Sequence, residues 1–385
     1  MRSQRTYLDW NATAPVLESV RDAMVEVLDE VPGNASSVHQ HGQKARAVVE
    51  RARRSIAAAV GAQPQGVVIT GGATESNNQV LRHHVRTTDN PRIVSTAVEH
   101  PSVIEVVDQL DQQGVNTEIW PVDRRGRLDM QWLSRRLDDE VTLVSVMWAN
   151  NETGNVYDIP GIVEQLHEAG ALVHVDATQA LGRIDIDFDE AGVDYMTLSF
   201  HKMGGPKGVG ATVVREGLKV SALYAGGHQE RGRRPGTENV VAVAGADAAA
   251  EAVVQRREQW SEMLREHRRA FVDALHQESS GLELRGDRDA QLPNTVNAAF
   301  EGVDGEDLLM ALDLEGISAS SGSACTAGSL EPSHVILAMG YDEADARRSV
   351  RFSFGPTTKR EELVEAARRI AEVADRLRQM DAQWR

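Results

Sequence analysis

Val67-Val-Ile-Thr-Gly-Gly-Ala-Thr74 carries the pattern that decides the fold: a short β-branched run, two glycines, and then residues that suit a helix. The pattern recurs as far as residue 215, in runs rich in Val, Ile or Leu that end in polar or glycine residues. Such runs are typical of strands buried on both faces, with crossover helices between them. The runs are 67–70, 92–97, 141–150, 172–176, 195–199 and 210–215. They predict an open α/β sheet.

The pattern changes after about residue 255, where helices alternate with isolated strand candidates at 295–300 and 350–354. We read this part as a smaller α+β domain. A chain of 385 residues suits roughly two domains. We therefore expect a large domain over residues 13–255 and a small one made of residues 1–12 and 256–385.

Composition narrows the class of protein. The net charge of −17 argues against a nucleic acid or an anionic membrane as the main partner. No apolar run reaches the ~18 residues of a membrane span, and residues 1–10 do not read as a secretory signal, so we expect a soluble cytoplasmic protein. Only five of the 41 basic residues are lysines. An acidic, lysine-poor surface leads us to hypothesise a halophilic origin.

The chain has one cysteine, Cys325. A single cysteine forms no intramolecular disulfide and cannot alone hold a zinc or iron–sulfur site, so we expect no metal centre. Its surroundings, Ser320-Ser-Gly-Ser-Ala-Cys325-Thr-Ala-Gly-Ser329, contain no large apolar residue, which argues against a packed core cysteine. Such a loop suits a nucleophile that moves between two places, although an incidental free cysteine is the alternative.

Several predicted strand ends carry polar residues, and ligands bind open α/β sheets at the carboxyl ends of the strands. Gly71-Gly-Ala-Thr74 precedes a helix whose free N–H groups would suit a phosphate, or it is an ordinary turn with Thr74 as N-cap. Asp176 ends another strand and suits a protonated pyridine nitrogen, with Gln179 in the next turn, although a helix N-cap is the simpler reading. These groups would together suit an anionic aromatic cofactor.

Lys202 follows the strand at 195–199 in Ser199-Phe-His-Lys202. A partly desolvated lysine has a lowered pKa and can form a Schiff base, which arginine cannot do. In a chain with 36 arginines and five lysines, an amine at this place looks selected for its chemistry. A surface lysine is the alternative, and Lys207 is a rival that lies in a Gly-Pro-Lys-Gly turn.

Three further positions are weaker candidates. His100 follows the strand at 92–97 and could stack on a ring and move protons, or be structural. The amides of Asn150 and Asn151 could bind a carboxylate, or form a turn. Arg351 lies on the strand at 350–354 and could grip a carboxylate with its guanidinium fork, or form a solvated ion pair.

Taken together, these segments closely resemble the cysteine desulfurases of the iron–sulfur-cluster and nitrogenase type, which are fold-type-I pyridoxal-phosphate (PLP) enzymes of the class-V aminotransferase group. The resemblance runs from Tyr-Leu-Asp-Trp-Asn-Ala-Thr-Ala-Pro (7–15) to Ser-Val-Arg-Phe-Ser-Phe-Gly (349–355). It implies a large, mainly parallel sheet domain of the seven-stranded type and a smaller α+β domain that carries the Cys325 loop, at about residues 320–333. Its most specific pieces are 199–208, 226–239 and 320–333.

The resemblance also implies a role for each matching residue. Lys202 would hold PLP through a Schiff base, and Cys325 would take the sulfur of L-cysteine as a persulfide, leaving alanine. Asn151 and Arg351 would bind the substrate carboxylate, and His100 would stack on the ring and transfer protons. The remaining implied cofactor-binding residues are Ala73, Thr74, Asp176, Gln179, Ser199, His201 and, from the neighbouring subunit, Thr237.

The family's homodimer and a sulfur-acceptor protein, such as an iron–sulfur scaffold, are implied as partners. Departures from the family pattern are small: Trp10-Asn11 stands where many relatives have Tyr and a small residue, and Pro235 where many have serine. The second departure bears on the contact of Thr237 with the phosphate. The alternative activities are those of a selenocysteine lyase or a class-V aminotransferase, and a non-catalytic sulfur carrier would need Cys325 but not Lys202.

Overall fold

The computed structural model describes residues 5–138, 140–321 and 331–384, with side chains as far as residue 380. Within these ranges the strands are β1 Thr6–Tyr7, β2 Val67–Thr70, β3 Arg92–Thr96, β4 Asn116–Trp120, β5 Leu143–Met147, β6 Leu172–Asp176, β7 Tyr195–Ser199, β8 Gly210–Val214, β9 Leu282–Arg285, β10 Thr295–Phe300, β11 Ile317–Ser318 and β12 Val350–Ser353. The helices are α1 Glu18–Glu30, α2 Gln40–Ala59, α3 Ala73–Thr87, α4 Pro101–Gln112, α5 Met130–Arg136, α6 Ile159–Glu168, α7 Val240–Glu278, α8 Gly305–Leu314, α9 His334–Ala338, α10 Glu343–Arg347 and α11 Arg360–Trp384. None of these helices is both long enough and apolar enough to cross a bilayer.

Seven strands form one sheet in the order β2-β8-β7-β6-β5-β3-β4. All neighbours are parallel except β8, which runs antiparallel to both β2 and β7. Five of these strands are buried along their whole length, because helices cover both faces. The predicted fold class, a large and mainly parallel seven-stranded sheet with a smaller α+β part, is confirmed.

The strand runs predicted from sequence coincide with β2, β3, β5, β6, β7 and β8. Strand β5 is shorter than the predicted run at 141–150, because the chain turns after Met147. The edge strand β4 had not been predicted. Only Trp120 of its five residues is buried, so Asn116-Thr-Glu-Ile-Trp120 has no continuous apolar run for the sequence to reveal.

A second, smaller assembly contains the antiparallel sheet β12-β10-β9 and the parallel pair β1-β11. Its core includes Phe352 and Phe354, which pack edge-on against Phe271 of α7. Leu8 and Trp10 from the start of the chain belong to the same core. The N-terminal segment therefore packs with the C-terminal part of the chain.

Helix α7 spans 39 residues, far more than the charged amphipathic pattern over residues 260–277, which by itself predicts a helix of that length only. Its first half is rich in alanine and valine and packs against α1 and α2, so it has no charged face and no amphipathic period that would reveal it. The helix runs through residue 255, where the sequence placed a domain boundary. Ala242 belongs to the core of the large sheet and Phe271 to the smaller core, so we propose the two-domain division with α7 shared between them.

Candidate active site

A cleft of about 760 Å³ lies at the carboxyl ends of the central strands, the edge at which open α/β sheets bind ligands. Nine of the twelve site residues implied by the sequence line it. They are Ala73, Thr74, His100, Asn151, Asp176, Gln179, Ser199, His201 and Lys202. Arg351 and Thr237 are not part of the lining, and Cys325 lies outside the described residues. The fold thus converges segments that are up to about 130 residues apart in the chain.

Lys202 lies in a short 3-10 turn directly after β7. Its Nζ donates to the backbone oxygens of Asn11, at 2.7 Å, and Ala12, at 2.9 Å. These two carbonyls hold the amine at the wall of the cleft. The rival Lys207 also lines the cleft, but its side chain is exposed. A half-buried amine that backbone carbonyls hold in place is better suited to a covalent role than an exposed one.

Asp176 ends β6 with a buried carboxylate. Its Oδ2 accepts from Asn77 Nδ2 and its Oδ1 from the backbone N–H of Thr178, both at 2.9 Å. The bond from Thr178 is the capping contact expected if Asp176 only caps its turn. The bond from Asn77 comes from helix α3. Because Asp176 also lines the cleft, the capping and ligand-binding readings are compatible.

His100 is the N-cap of α4, and its Nδ1 accepts the backbone N–H of Ser102 at 3.1 Å. An Nδ1 that accepts leaves the proton of the neutral ring on Nε2. Burial lowers the pKa of His100, and the positive charge of Lys202 acts in the same direction, while Asp176 opposes it. The ring is therefore a neutral imidazole at neutral pH.

The glycine-rich turn after β2 forms one end of the cleft. Gly72 is the N-cap of α3 with φ of +147°, and a Cβ built on it would meet no atom of the described residues within 4 Å. The backbone is thus open towards a ligand, and no side chain in the described part of the chain caps the N-terminus of α3. Glu75 accepts from the N–H of Gly71 at 2.8 Å and pairs with Arg234 at 2.9 Å, so its charge is compensated.

His201 lies at the same end, where its Nδ1 is 3.1 Å from Thr13 Oγ1. Burial, followed by the charges of Lys202 and Lys207, lowers the pKa of His201 to about 4. The ring is neutral at physiological pH and can act as a hydrogen-bond donor. Ser199, at the end of β7, is buried beside it. Helix N–H groups, a hydroxyl and an imidazole suit an anion such as a phosphate.

Asn151, in the turn that follows β5, also lines the cleft. Its backbone oxygen accepts from Arg351 Nη1 at 3.1 Å and from Asn11 Nδ2 at 3.0 Å. Arg351 is only 2% exposed and pairs with Asp9 at 2.8 Å, so the solvated ion pair considered for it is not what the structure shows. Arg351 contacts the backbone that carries Asn151, and its direct grip on a substrate carboxylate stays a prediction.

Two buried acids that the sequence did not single out lie next to predicted site residues. Glu99 precedes His100, and its Oε1 accepts from Thr96 Oγ1 and from the N–H of Met147, both at 2.7 Å. Burial raises the pKa of Glu99 to about 8 and also raises the pKa of Glu152, which follows Asn151. The sequence could have revealed Glu99, because it is a charged residue close after a buried strand, in Val98-Glu-His-Pro101.

These acids anchor the chain on one side of the segment that carries Cys325. Ser333 Oγ donates to Glu152 Oε2 at 2.5 Å, and His334 Nε2 lies 2.9 Å from the backbone oxygen of Glu99. On the other side, Ser320 pairs with Arg351 through backbone hydrogen bonds of 2.6 and 3.2 Å. Both flanks of this segment are therefore tied to residues that contact or neighbour the cleft.

Thr237 is exposed and lies in the segment 226–239, outside the cleft of its own chain. The segment is tied to the glycine-rich turn by the Arg234–Glu75 pair. It is tied to β2 by Glu230, which accepts from the backbone N–H of Ile69 at 2.9 Å and pairs with the buried Arg53 at 2.7 Å. Thr237 is thus presented on a firmly held segment, and its action in a neighbouring subunit stays a prediction.

The chain is similar to known proteins over nearly its whole length. Residues 6–365 match the family model described as aminotransferase class-V. The cysteine desulfurase NifS of Azotobacter vinelandii is 38% identical over 98% of this chain and 94% of its own length. The cysteine desulfurase IscS of Dictyoglomus turgidum is 39% identical over 94% of this chain and 92% of its own length.

Solved structures agree with these relatives. A NifS-like protein superposes with a TM-score of 0.91 at 32% identity, covering 97% of this chain and all of its own. A NifS-like protein from Rickettsia africae gives a TM-score of 0.86 at 28% identity, with coverage of 96% and 100%. The family resemblance predicted from the sequence motifs is confirmed. The chain belongs to the class-V aminotransferase family and, within it, groups with the cysteine desulfurases of the NifS and IscS type.

Proposed function

We propose that this protein is a PLP-dependent cysteine desulfurase that converts L-cysteine to L-alanine and leaves the sulfur as a persulfide on Cys325. One observation carries the proposal: the Lys202 amine and the Asp176 carboxylate line one cleft, and both flanks of the Cys325 segment are tied to that cleft's residues. Close relatives described as cysteine desulfurases support the same activity.

The residues of the cleft fit PLP. The N-terminus of α3, Thr74, Ser199 and His201 suit its phosphate, and Asp176 suits its pyridine nitrogen. Thr178 Oγ1 is buried in the cleft wall and has no hydrogen-bond partner among the described residues, so a polar group of a ligand would satisfy it. Lys202 would hold the cofactor covalently, and Ala73, at the start of α3, would join the residues around the phosphate. His100 would stack on the ring, and Gln179 would bond its phenolic oxygen. When bound, PLP supplies an electron sink for the substrate's α-carbon.

The chain's own residues then supply binding and proton transfer. Asn151 and Arg351 orient the substrate carboxylate, and the Lys202 amine takes the α-proton. Asp176 would stabilise a proton on the ring nitrogen of bound PLP. His100, neutral with its proton on Nε2, moves a further proton. Each of these groups lines the cleft or, for Arg351, contacts the backbone of a residue that does.

The sulfur step balances without an external oxidant. The Cys325 thiolate attacks the sulfur of the substrate, and a sulfur–sulfur bond forms while the carbon–sulfur bond breaks. The electron pair of the broken bond stays with the carbon skeleton of the substrate. This skeleton takes up protons and leaves as alanine. The terminal sulfur then passes from Cys325 to an acceptor protein, such as an iron–sulfur scaffold.

The test supplies L-cysteine and a reductant and measures sulfide and alanine for the wild type, Cys325→Ala and Lys202→Ala. We expect both variants to lose nearly all sulfide release, and Cys325→Ala to keep the visible absorption of bound PLP. Full sulfide release by Cys325→Ala would refute the desulfurase and leave the selenocysteine lyase or aminotransferase alternatives. If Cys325→Ala lost sulfide release while Lys202→Ala kept it, the protein would be a sulfur carrier.

We also propose the family's homodimer, in which Thr237 of each subunit contacts the phosphate held by the other. The firm attachment of segment 226–239 to the glycine-rich turn supports this arrangement. A cytoplasmic location suits a free reactive thiol. The charge of −17 supports a halophilic origin, and maximal activity in dilute buffer that falls steadily with added KCl would contradict it.

A further inference from the structure

Asn11 occupies the stretch of chain that leaves the smaller core and enters the cleft. Leu8, three residues earlier, belongs to the smaller core, while Ala12 and Thr13 line the cleft. Asn11 itself is only 1% exposed. A buried amide between two packed units must find hydrogen-bond partners, so its contacts reveal what it holds together.

The backbone oxygen of Asn11 contacts the cofactor side of the site. It accepts from Lys202 Nζ at 2.7 Å and from Gln179 Nε2 at 3.0 Å. Gln179 is in turn held by the buried Arg183, which donates to its backbone oxygen at 2.7 Å and to the backbone oxygen of Lys202 at 3.0 Å. The main chain at Asn11 is therefore fixed relative to the reactive amine.

The side chain of Asn11 contacts the substrate side. Its Nδ2 donates to the backbone oxygen of Asn151 at 3.0 Å and to Thr295 Oγ1 at 2.9 Å, and its Oδ1 accepts from Asn294 Nδ2 at 3.2 Å. Both amide hydrogens and the amide oxygen are thus engaged. Because one proton goes to Asn151 and the other to β10, the side chain fixes the distance between Asn151 and the smaller core.

We propose that Asn11 is a positioning residue that sets Asn151 for the α-carboxylate of an amino-acid substrate, while its main chain holds the resting place of the Lys202 amine. The proposal rests on the proposed function. Asn11 acts through Asn151 and touches neither the carboxylate nor the reacting sulfur. A carboxylate contact is made equally in the bound substrate and in the transition state, so its loss raises KM and leaves kcat nearly unchanged.

The test compares Asn11→Ala with Asn294→Ala as a matched control. Asn294 is equally buried and also donates to the backbone oxygen of Phe354 at 3.0 Å, but its hydrogen bonds among the described residues do not include Asn151. Two readouts are measured on the holoenzyme: KM and kcat for L-cysteine, and the dissociation constant of L-alanine from the change in the cofactor's visible absorption. Thermal unfolding of both variants checks that they fold.

We expect Asn11→Ala to raise KM and the L-alanine dissociation constant about tenfold with kcat within about threefold, as the loss of one positioned hydrogen bond implies. Asn294→Ala should change both constants less than about threefold. Asn11→Ser, whose hydroxyl is too short to reach the Asn151 oxygen but keeps a polar group in the buried site, should match Asn11→Ala and serves if the alanine variant does not fold. Equal effects of Asn11→Ala and Asn294→Ala, or a fall in kcat alone, would overturn the proposal.

Failure of the proposed function gives a different result. In that case the wild type itself releases no sulfide from L-cysteine, whereas the L-alanine titration still reports whether Asn11 controls carboxylate binding. Wild-type sulfide release with unchanged constants in both Asn11 variants would remove the inference about Asn11 alone.

Discussion

The two walls of the cleft, which we propose bind the cofactor and the substrate, are built in different ways. On the cofactor wall, Asp176, Ser199 and Lys202 end or follow neighbouring strands of one sheet, so the sheet topology alone brings them together. On the substrate wall, Asn151 is held by Asn11 and Arg351, which are 140 and 200 residues away in the chain. Changes on the first wall should therefore abolish chemistry, and changes on the second should weaken binding or stability.

The largest effect is expected on the cofactor wall, for Asp176→Asn. The substitution keeps the shape but removes the charge that we propose stabilises a protonated ring nitrogen, so kcat should fall on the order of 10²–10³-fold. Steady-state sulfide release measures it. Asp158→Asn, at the exposed N-cap of α6, is the control and should leave kcat unchanged. An equally small effect at both positions would mean that Asp176 only caps its turn.

Ser333→Ala should disturb the substrate wall and leave the cofactor wall intact. It removes the hydrogen bond to the buried Glu152 and the cap of α9, so the free energy of unfolding should fall by about 1–3 kcal/mol. Denaturant unfolding measures this, and the PLP content should stay that of the wild type. Ser134→Ala, on the exposed face of α5, is the control. A variant as stable as wild type would show that the flank of the Cys325 segment is not anchored here.

The raised pKa of Glu99 predicts that the stability of the protein depends on pH. Its pKa of about 8 lies above the unfolded value of 4.5, so the folded state keeps a proton that the unfolded chain loses. The stability it contributes is full below pH 4.5 and is lost as the pH rises through about 8, by up to about 1.4 kcal/mol per pH unit. Glu99→Gln should flatten this profile between pH 5 and 8.

Denaturant unfolding across that pH range, with Glu105→Gln on the exposed face of α4 as the control, measures the difference. Parallel profiles for the wild type and Glu99→Gln would mean that Glu99 is ionised in the folded protein at neutral pH.

The smallest effect is expected for Lys207→Ala. Lys207 lines the cleft but is exposed, so it should contribute only a screened charge, and kcat should change less than about threefold. The cofactor's visible absorption, measured together with sulfide release, distinguishes the effect of Lys207→Ala from that of Lys202→Ala. Loss of the covalently held cofactor in Lys207→Ala would exchange the roles of the two lysines.

The parts of the site that were predicted from sequence all depend on local patterns. A short buried run ends at or just before each of Asp176, Lys202 and the turn at Gly72. In a parallel sheet all strands end at the same edge, so these residues are expected to lie together. The roles of the residues came from the family motifs. Asn77, Thr178 and Arg183 escaped notice because an isolated polar residue in a helix or turn has no pattern that distinguishes it from a solvated one.

The sequence by itself determined the α/β class, the strands of the large sheet and the residue types that gather at its edge, because burial on both faces imposes apolar runs that can be read locally. Only the tertiary structure decided that Asn11 links Lys202 to Asn151, that Glu99 and Glu152 anchor the flank of the Cys325 segment, and that α7 extends from residue 240. These features depend on contacts between distant segments, and burial and hydrogen bonding at such contacts leave no period in the chain.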